Sequence, residues 1–540
     1  MTLDPALVRS EGMSDFRAVL DAHGLYNTEQ FVLRLSPRNH ELIDSITSKN
    51  FDRNKVSGET LQAYSTYIHE TIHWWQHIGS TTGLLLSTCF PNQTHMNLSD
   101  MTEWCNITKP FKSIKNWALN GELSGKDHTD AAQALANTII NNYMDVQFFK
   151  LWLLKPEIST DIYQDKYFES QGHCFNIAYS GLISNIQPII DPNSVFLPSL
   201  DRWEQEFRQL TELGQIGYYY GSPIFRRHTS LAQLWEGQAC FNQMQFLNSA
   251  TPDLTLDDFR EAGMLYGVYE AAFIKFLELS GLEMPACPLD PRVALFLLVV
   301  DLAINPTEGF PCDISNFASF VNLADPNIRF ELLCRGIADD PTAFSNAIKD
   351  YSKSEYLDVS WKLTSKCGIQ HISEGWDEVQ KWRLTIPEVG TLMKEKDLFQ
   401  YQNSNMALRV LLSFFIDFTT DKSSNPEFFC WPGYWKANSS EHIEDLWLNN
   451  LSLFSDKADD GGIFIRKFPN KTEEDLTKTL NNFFGNGVVY NLSRQWIFND
   501  GPFKFNFKWL SERHEEDEWK SWAERQFKAL YGVAISEISY

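Results

Sequence analysis

The sequence predicts an α-rich α+β protein. Three observations carry that expectation: long stretches with apolar residues three and four positions apart, a few short alternating stretches, and Gly/Pro punctuation that thickens only near mid-chain. The chain has 540 residues, 43% of them hydrophobic and 21% charged, an ordinary globular balance. Its length predicts two to four domains. Aromatic residues make up 14%, including 17 Trp and 39 Phe, which favours large packed interiors or binding clefts.

The elements follow in chain order. "TEQFVLRLS" (Thr28 to Ser36) alternates like a strand. From Gly58 the pattern becomes helical through "ETLQAYSTYIHETIHWWQHIG", with Gly79 as its stop. Helical periodicity returns in "ALANTIINNYMDVQFFKLWLL" and in "SLAQLWEGQACFNQMQFL", where Thr229 or Ser230 supplies a start signal and the helix is expected near 229–248. It recurs in "DDFREAGMLYGVYEAAFIKFLELSG", which closes on a glycine. "VALFLLVVDLAI" (Val293 to Ile304) is interrupted by Asp301 and too short to span a bilayer, so it is a buried helix or strand. Pro and Gly cluster between Pro285 and Pro311, which divides the chain into regions 1–310 and 311–540. Near the end, "FKFNFKW" alternates Phe503, Phe505, Phe507 and Trp509 against polar residues, a strand pattern. Trp519, Trp522, Phe527 and Leu530 then share one broad helical stripe, read as core packing.

Net charge is −24, which repels phosphate backbones and anionic lipid heads, so neither nucleic acid nor a membrane surface is an expected partner. The opening "MTLDPALVRSEGMSDFRAVL" lacks the apolar run of a secretory signal. Nine cysteines fall singly with no C-x-x-C pair, the usage of reduced thiols in a cytoplasmic protein.

The stretch "YIHETIHWWQHIGS" carries the chemistry. His69-Glu70-Thr71-Ile72-His73 is H-E-x-x-H, a pattern expected by chance about 0.02 times in a chain with 12 His. On a helix, i and i+4 lie one turn apart on one face, so both imidazoles can converge on a single Zn²⁺. Glu70 sits beside the first ligand, placed to take a proton from metal-activated water. His77 continues the spacing but lies about 12 Å along the axis from His69, too far for one ion to reach all three. It is read as a neighbour or cleft wall. The third ligand must come from elsewhere, and Glu236 in "LWEGQACF" is the best candidate. His371 and Glu374 in "HISEGWDEV" are the rival source, without the H-x-x-E-H order.

Taken with H-E-x-x-H, Trp235-Glu236-Gly237-Gln238-Ala239 resembles the gluzincin branch of the zincin metallopeptidases. In the aminopeptidase N group and related families, the glutamate ligand lies in a stretch like W-x-x-E-G-x-A. The resemblance covers two short motifs. It implies a zincin-like core with His69, His73 and Glu236 as zinc ligands and Glu70 as general base. Glu236 lies far downstream of His73, so the core would carry a large helical insertion and be followed by a C-terminal mixed α/β region. Trp235 is adjacent to the glutamate rather than three places earlier. Cys240 stands where some gluzincins have an acidic residue, leaving the partner of the histidines unassigned.

Two His and one Glu leave a metal position open, the mark of a catalytic site. The expected function is a zinc-dependent peptidase hydrolysing a protein or peptide. An endopeptidase is favoured because the G-x-M-E-N amine-recognition stretch of the aminopeptidase N group is missing. The oxyanion needs a further donor. "IGYYYGSPIFRRHTS" offers Tyr218, Tyr219, Tyr220, Arg226, Arg227 and His228, with His228 the first choice. A regulated protease of a bacterial toxin, stress or defence system, with a regulatory protein partner, fits a large appended region. The contrasting reading is a non-catalytic interaction protein with a degenerate zincin fold. Carboxylate-bridged di-iron chemistry is disfavoured because E-x-x-H occurs once, at Glu70 to His73.

Overall fold

The computed structural model describes residues 31–44, 56–120, 129–223, 227–508, 510 and 514–540. Helices dominate it. The described strands are β1 (Val32–Leu33), β2 (Phe454–Lys457) and β3 (Asp460–Ile465), forming one sheet in the order β1-β2-β3. β1 runs parallel to β2, with Val32 opposite Phe454. β2 and β3 form an antiparallel hairpin, with Phe454 opposite Ile465 and an irregularity between Ser455 and Lys457. The expected C-terminal strand content therefore reduces to one hairpin.

The helix Gly58–Gly79 starts at Ser57, whose side chain accepts the Thr60 N–H. From Thr60 to Gly79 every residue is buried except Thr66, Tyr67 and Glu70. A helix covered on almost all sides belongs inside the core, and its one open strip faces outward at Glu70. The helix Leu231–Ala250 is equally enclosed; a reciprocal capping box between Ser230 and Gln233 fixes its start. These two helices pack on each other. Around them lie the helices Val268–Ser280, Pro291–Ala303, Thr81–His95, Met406–Ser424 and Pro432–Ala437. "VALFLLVVDLAI" is thus helical over nearly its whole length, and Val293 through Ala303 is buried.

The interior is continuous. One hydrophobic cluster runs from Phe31 to Ile538. Within the Pro/Gly-rich stretch 285–311, expected to hold a boundary, residues 293–311 are buried, while 285–292 include exposed and half-buried positions. Trp75 shows how the two expected regions interlock: its ring meets Phe418, Phe428, Phe429 and Trp447 with centroids 5.1–5.8 Å apart. Each such pair contributes about 0.5–1.5 kcal/mol beyond area burial. Gly433 lies so close to the Leu231 helix that a Cβ there would stand 1.9 Å from the Asn242 carbonyl oxygen. Only glycine permits that approach.

A closed ionic cluster ties three helices together inside the core. Lys422 Nζ lies 2.5 Å from Asp301 Oδ1, and the Tyr356 hydroxyl donates to Asp301 Oδ2 at 2.8 Å. Asn305 Nδ2 adds a bond to Asp301 Oδ1 at 3.3 Å. Asp301, the interruption in the apolar run, is thus fully partnered.

Two strand expectations need correction. In "TEQFVLRLS" only Val32–Leu33 forms a strand; residues 28–30 lie outside the described part. In "FKFNFKW" Phe503, Phe505 and Phe507 are buried alternately as expected, but no ladder forms. The Lys504 N–H and C=O bond to the Gln495 side chain instead, and the rings pack on the helix Glu516–Tyr531. Alternation reported burial there, not pairing. Trp509 lies outside the described residues, while Trp519, Trp522, Phe527 and Leu530 do share that helix. All nine cysteines are free thiols. No helix among the described residues is long and apolar enough to cross a membrane.

Candidate metal centre

The Gly58 helix brings His69 and His73 to one face, and the Leu231 helix carries Glu236 to meet them. His69 Nε2 and His73 Nε2 lie 3.1 Å apart. Glu236 Oε2 is 3.3 Å from the first and 3.4 Å from the second. Donors held about 2.0–2.1 Å from a tetrahedral zinc are separated by about 3.3–3.4 Å. The three atoms therefore already stand at the spacing such an ion requires. They form the one group of three or more potential metal ligands among the described residues.

The donor set also has the right charge and the wrong internal complement. Glu236 Oε2 is buried, and neither imidazole makes a well-formed hydrogen bond to it. Two imidazole nitrogens facing each other and a carboxylate cannot all be satisfied by one shared proton. A divalent cation satisfies all three at once. The same tension shows in the titration of the side chains. Burial opposes charge on His73, but Glu236, Glu70 and the Gln76 hydrogen bond outweigh it and hold His73 up to about 9. Burial likewise opposes charge on Glu236, yet His73 and His69 hold its carboxyl down to about 2. The site is built to stabilise positive charge beside a carboxylate.

Gln76 orients His73. His73 Nδ1 lies 2.8 Å from Gln76 Oε1, so Nδ1–H donates outward and Nε2 turns its lone pair towards Glu236. Gln76 Nε2 in turn donates to the Trp235 carbonyl and to Gln238 Oε1, both at 2.9 Å. One amide thus fixes the tautomer of His73 and fastens the Gly58 and Leu231 helices together. Gln243 adds a second fastening, donating to Ser65 Oγ at 3.1 Å.

Glu70 is half-buried on the open strip, next to the convergent group but outside it. Burial raises its pKa above the ordinary carboxyl value; His69 and His73 pull it back, while Glu236 and Asp456 push it further up. A carboxylate with a raised pKa beside two imidazoles is chemically able to accept a proton.

The remaining sequence candidates fall elsewhere. His77 is buried, its ring meeting Trp235 edge-on at 4.5 Å, and burial drives its pKa well down, so it is a neutral core residue. His371 bonds to Ser360 Oγ at 2.8 Å, and Glu374 is exposed. His228 is exposed, with its backbone N–H donating to Glu331. Tyr218 donates its hydroxyl to the Phe317 carbonyl at 2.7 Å, Tyr220 is exposed, and Arg227 pairs with buried Asp325. Arg226 lies outside the described residues. A side chain that packs against the candidate site is Tyr269, its ring centroid 6.1 Å from that of His69. Gly267 (φ 53°, ψ −122°) caps the helix Val268–Ser280 and sets Tyr269 in its first turn. Burial raises the Tyr269 pKa, and Glu236, Cys240 and Glu70 raise it further, so its phenol keeps its proton. Nothing in the local sequence marks this residue, because only the packing of its helix brings it to His69.

Neither family models nor curated proteins nor solved structures give a match to this chain.

Proposed function

We propose that this chain is a zinc-dependent peptidase of gluzincin type, with His69, His73 and Glu236 as metal ligands. The observation that carries the reading is the convergence of Glu236, from a distant helix, on both histidines of H-E-x-x-H at a zinc donor spacing. When bound, zinc supplies a Lewis acid that polarises the scissile carbonyl and acidifies water. Glu70 takes a proton from the attacking water as the new C–O bond forms. It returns that proton to the amine nitrogen as the C–N bond breaks, leaving a carboxylic acid and an amine. Tyr269, with its proton retained and its ring against His69, is the donor placed to receive the developing oxyanion. We assign it the oxyanion role for which the sequence offered His228 first. A cytoplasmic setting and a protein or peptide substrate complete the reading.

The test is elemental analysis of wild type, Glu236→Ala and Glu70→Gln purified in parallel, followed by cleavage of a peptide pool. Wild type is expected to hold one zinc per chain, Glu236→Ala to lose most of it, and Glu70→Gln to keep it. Cleavage by Glu70→Gln should fall about 10²–10⁴-fold. Wild type that takes up no zinc when zinc is offered would sink the peptidase and leave an interaction protein.

A further inference from the structure

The helix Val268–Ser280 does more than bring Tyr269 to His69. Its entry is a tight turn over Tyr266, Gly267, Val268 and Tyr269, in which the Tyr269 N–H donates to the Tyr266 carbonyl at 3.1 Å. Gly267, at φ 53° and ψ −122°, has the backbone of the first central residue of a type II′ turn, a position that favours glycine. The turn sets the rings of Tyr266 and Tyr269 edge to face, 5.6 Å apart at 69°. Tyr269 in turn meets His69 edge to face at 6.1 Å and 67°. Two ring contacts thus lead from a candidate metal ligand out to Tyr266, which is 49% exposed.

A separate contact ties this turn to the helix that carries Glu236. Met264 and Leu265, the two residues before Tyr266, are buried, and the Met264 carbonyl accepts from the Cys240 thiol at 3.5 Å. Cys240 stands one turn after Glu236 on the Leu231 helix. The segment is therefore fastened to the Glu236 helix at one end and to His69, through Tyr269, at the other. With its backbone anchored on both sides, the Tyr266 ring keeps only its own two side-chain torsions, so little order is lost when something packs against it. The other exposed aromatic rings among the described residues are Tyr163, Tyr220, Trp361 and Tyr540, and none of them meets a ring that touches His69. Trp361, for instance, stacks on His371 at 4.0 Å.

The chemistry at this corner is aromatic rather than ionic. Glu270, the residue after Tyr269, already accepts from Arg260 Nε at 2.9 Å, and Arg260 also pairs with Asp257. Two rings set at a steep angle offer a third flat ring both a face and an edge, the arrangement aromatic pairs prefer. Resting on the peptidase reading, we propose that Tyr266 is a specificity-determining residue, forming with Tyr269 the wall of a subsite for an aromatic side chain of the peptide substrate. At about 3.3 Å per extended residue, that side chain lies within about three residues of the scissile bond.

The experiment uses the full chain, zinc-loaded and carrying Glu70→Gln, immobilised and offered four equimolar peptide pools of equal length, acetylated and amidated at their ends. On a shared polar background the pools carry Phe, Tyr and Trp; Leu, Ile and Met; Lys and Arg; or none of these. The aromatic pool should be retained about two- to tenfold over the aliphatic one. Adding Tyr266→Leu should remove that excess, and Tyr266→Phe should keep it, with zinc content and unfolding midpoint at the parent values in both. Should the Leu variant fail to fold, Tyr266→Ser takes its place with the same expectation. Tyr163→Leu, at an exposed ring whose hydroxyl bonds to the Gly221 carbonyl, should leave the preference intact. Equal retention of the aromatic and aliphatic pools by the parent, a preference for the Lys and Arg pool, or an aromatic preference that survives loss of the Tyr266 ring would overturn the assignment. Incubating the same pools with wild type reads the peptidase separately: aromatic retention without cleavage removes the peptidase and keeps the aromatic subsite, and cleavage without aromatic retention does the reverse.

Discussion

Two buried polar clusters sit in this core, and they differ in one respect. Around Asp301 every group has an answering group: an ammonium, a phenol hydroxyl and an amide meet one carboxylate. Around Glu236 the carboxylate faces two imidazole nitrogens that also face each other at 3.1 Å. The first cluster is complete within the chain. In the second, two acceptors and a carboxylate converge on one point. A buried polar network that closes on itself reads as structural, whereas one whose acceptors converge on a common point reads as a ligand set.

The comparison can be broken or sharpened in four ways. The largest effect is expected from Lys422→Met, which leaves Asp301 buried without its counter-charge. Denaturant unfolding should show a loss of about 3–5 kcal/mol, with the zinc stoichiometry of the folded protein unchanged. Coupled loss of zinc would mean that the two clusters are one network. Chelation should act in the opposite sense. Stripping metal from wild type is expected to cost about 2.7–4.1 kcal/mol at zinc concentrations 100–1,000 times the dissociation constant, read as a fall in Tm by calorimetry. An unmoved Tm would place the Glu236 cluster with the self-contained one. Tyr269→Phe should then slow peptide cleavage about 10²-fold while zinc content holds, since only the hydroxyl is removed. A rate equal to wild type would return the oxyanion role to another group. The smallest change is expected for Gln76→Leu, which frees His73 Nδ1 and should weaken zinc binding about 10–100-fold in a competition titration. Undiminished affinity would show that packing alone holds His73.

Much of the site was legible because its signals are local. His69 and His73 are spaced by the helix itself, and the helix announces its own start at Ser57 and stop at Gly79. Glu236 was legible through its short surrounding stretch, although its distance along the chain says nothing about where it folds. Gln76, three residues after His73, was visible in the sequence only as a departure from a glycine; its role depends on Trp235 and Gln238 from the other helix. Tyr269 had no local mark at all, because only the packing of its helix brings it to His69. The helix-rich class was legible from periodicity. The Phe503 stretch misled because a side chain, Gln495, does for its backbone what a neighbouring strand would do.

The packing of Trp75 also bears on the order in which the protein can be made. Its indole N–H donates to the carbonyl of Asn450, 375 residues further on, and Trp447 completes the same wall. At about 5–20 residues per second, Asn450 leaves the ribosome roughly 20–75 s after Trp75. Throughout that interval the helix bearing both histidines emerges with its tryptophan face uncovered. A chain that ends before residue 450 is expected to keep that apolar face uncovered and to aggregate. The wall behind the two histidines therefore closes only after the C-terminal part has been synthesised.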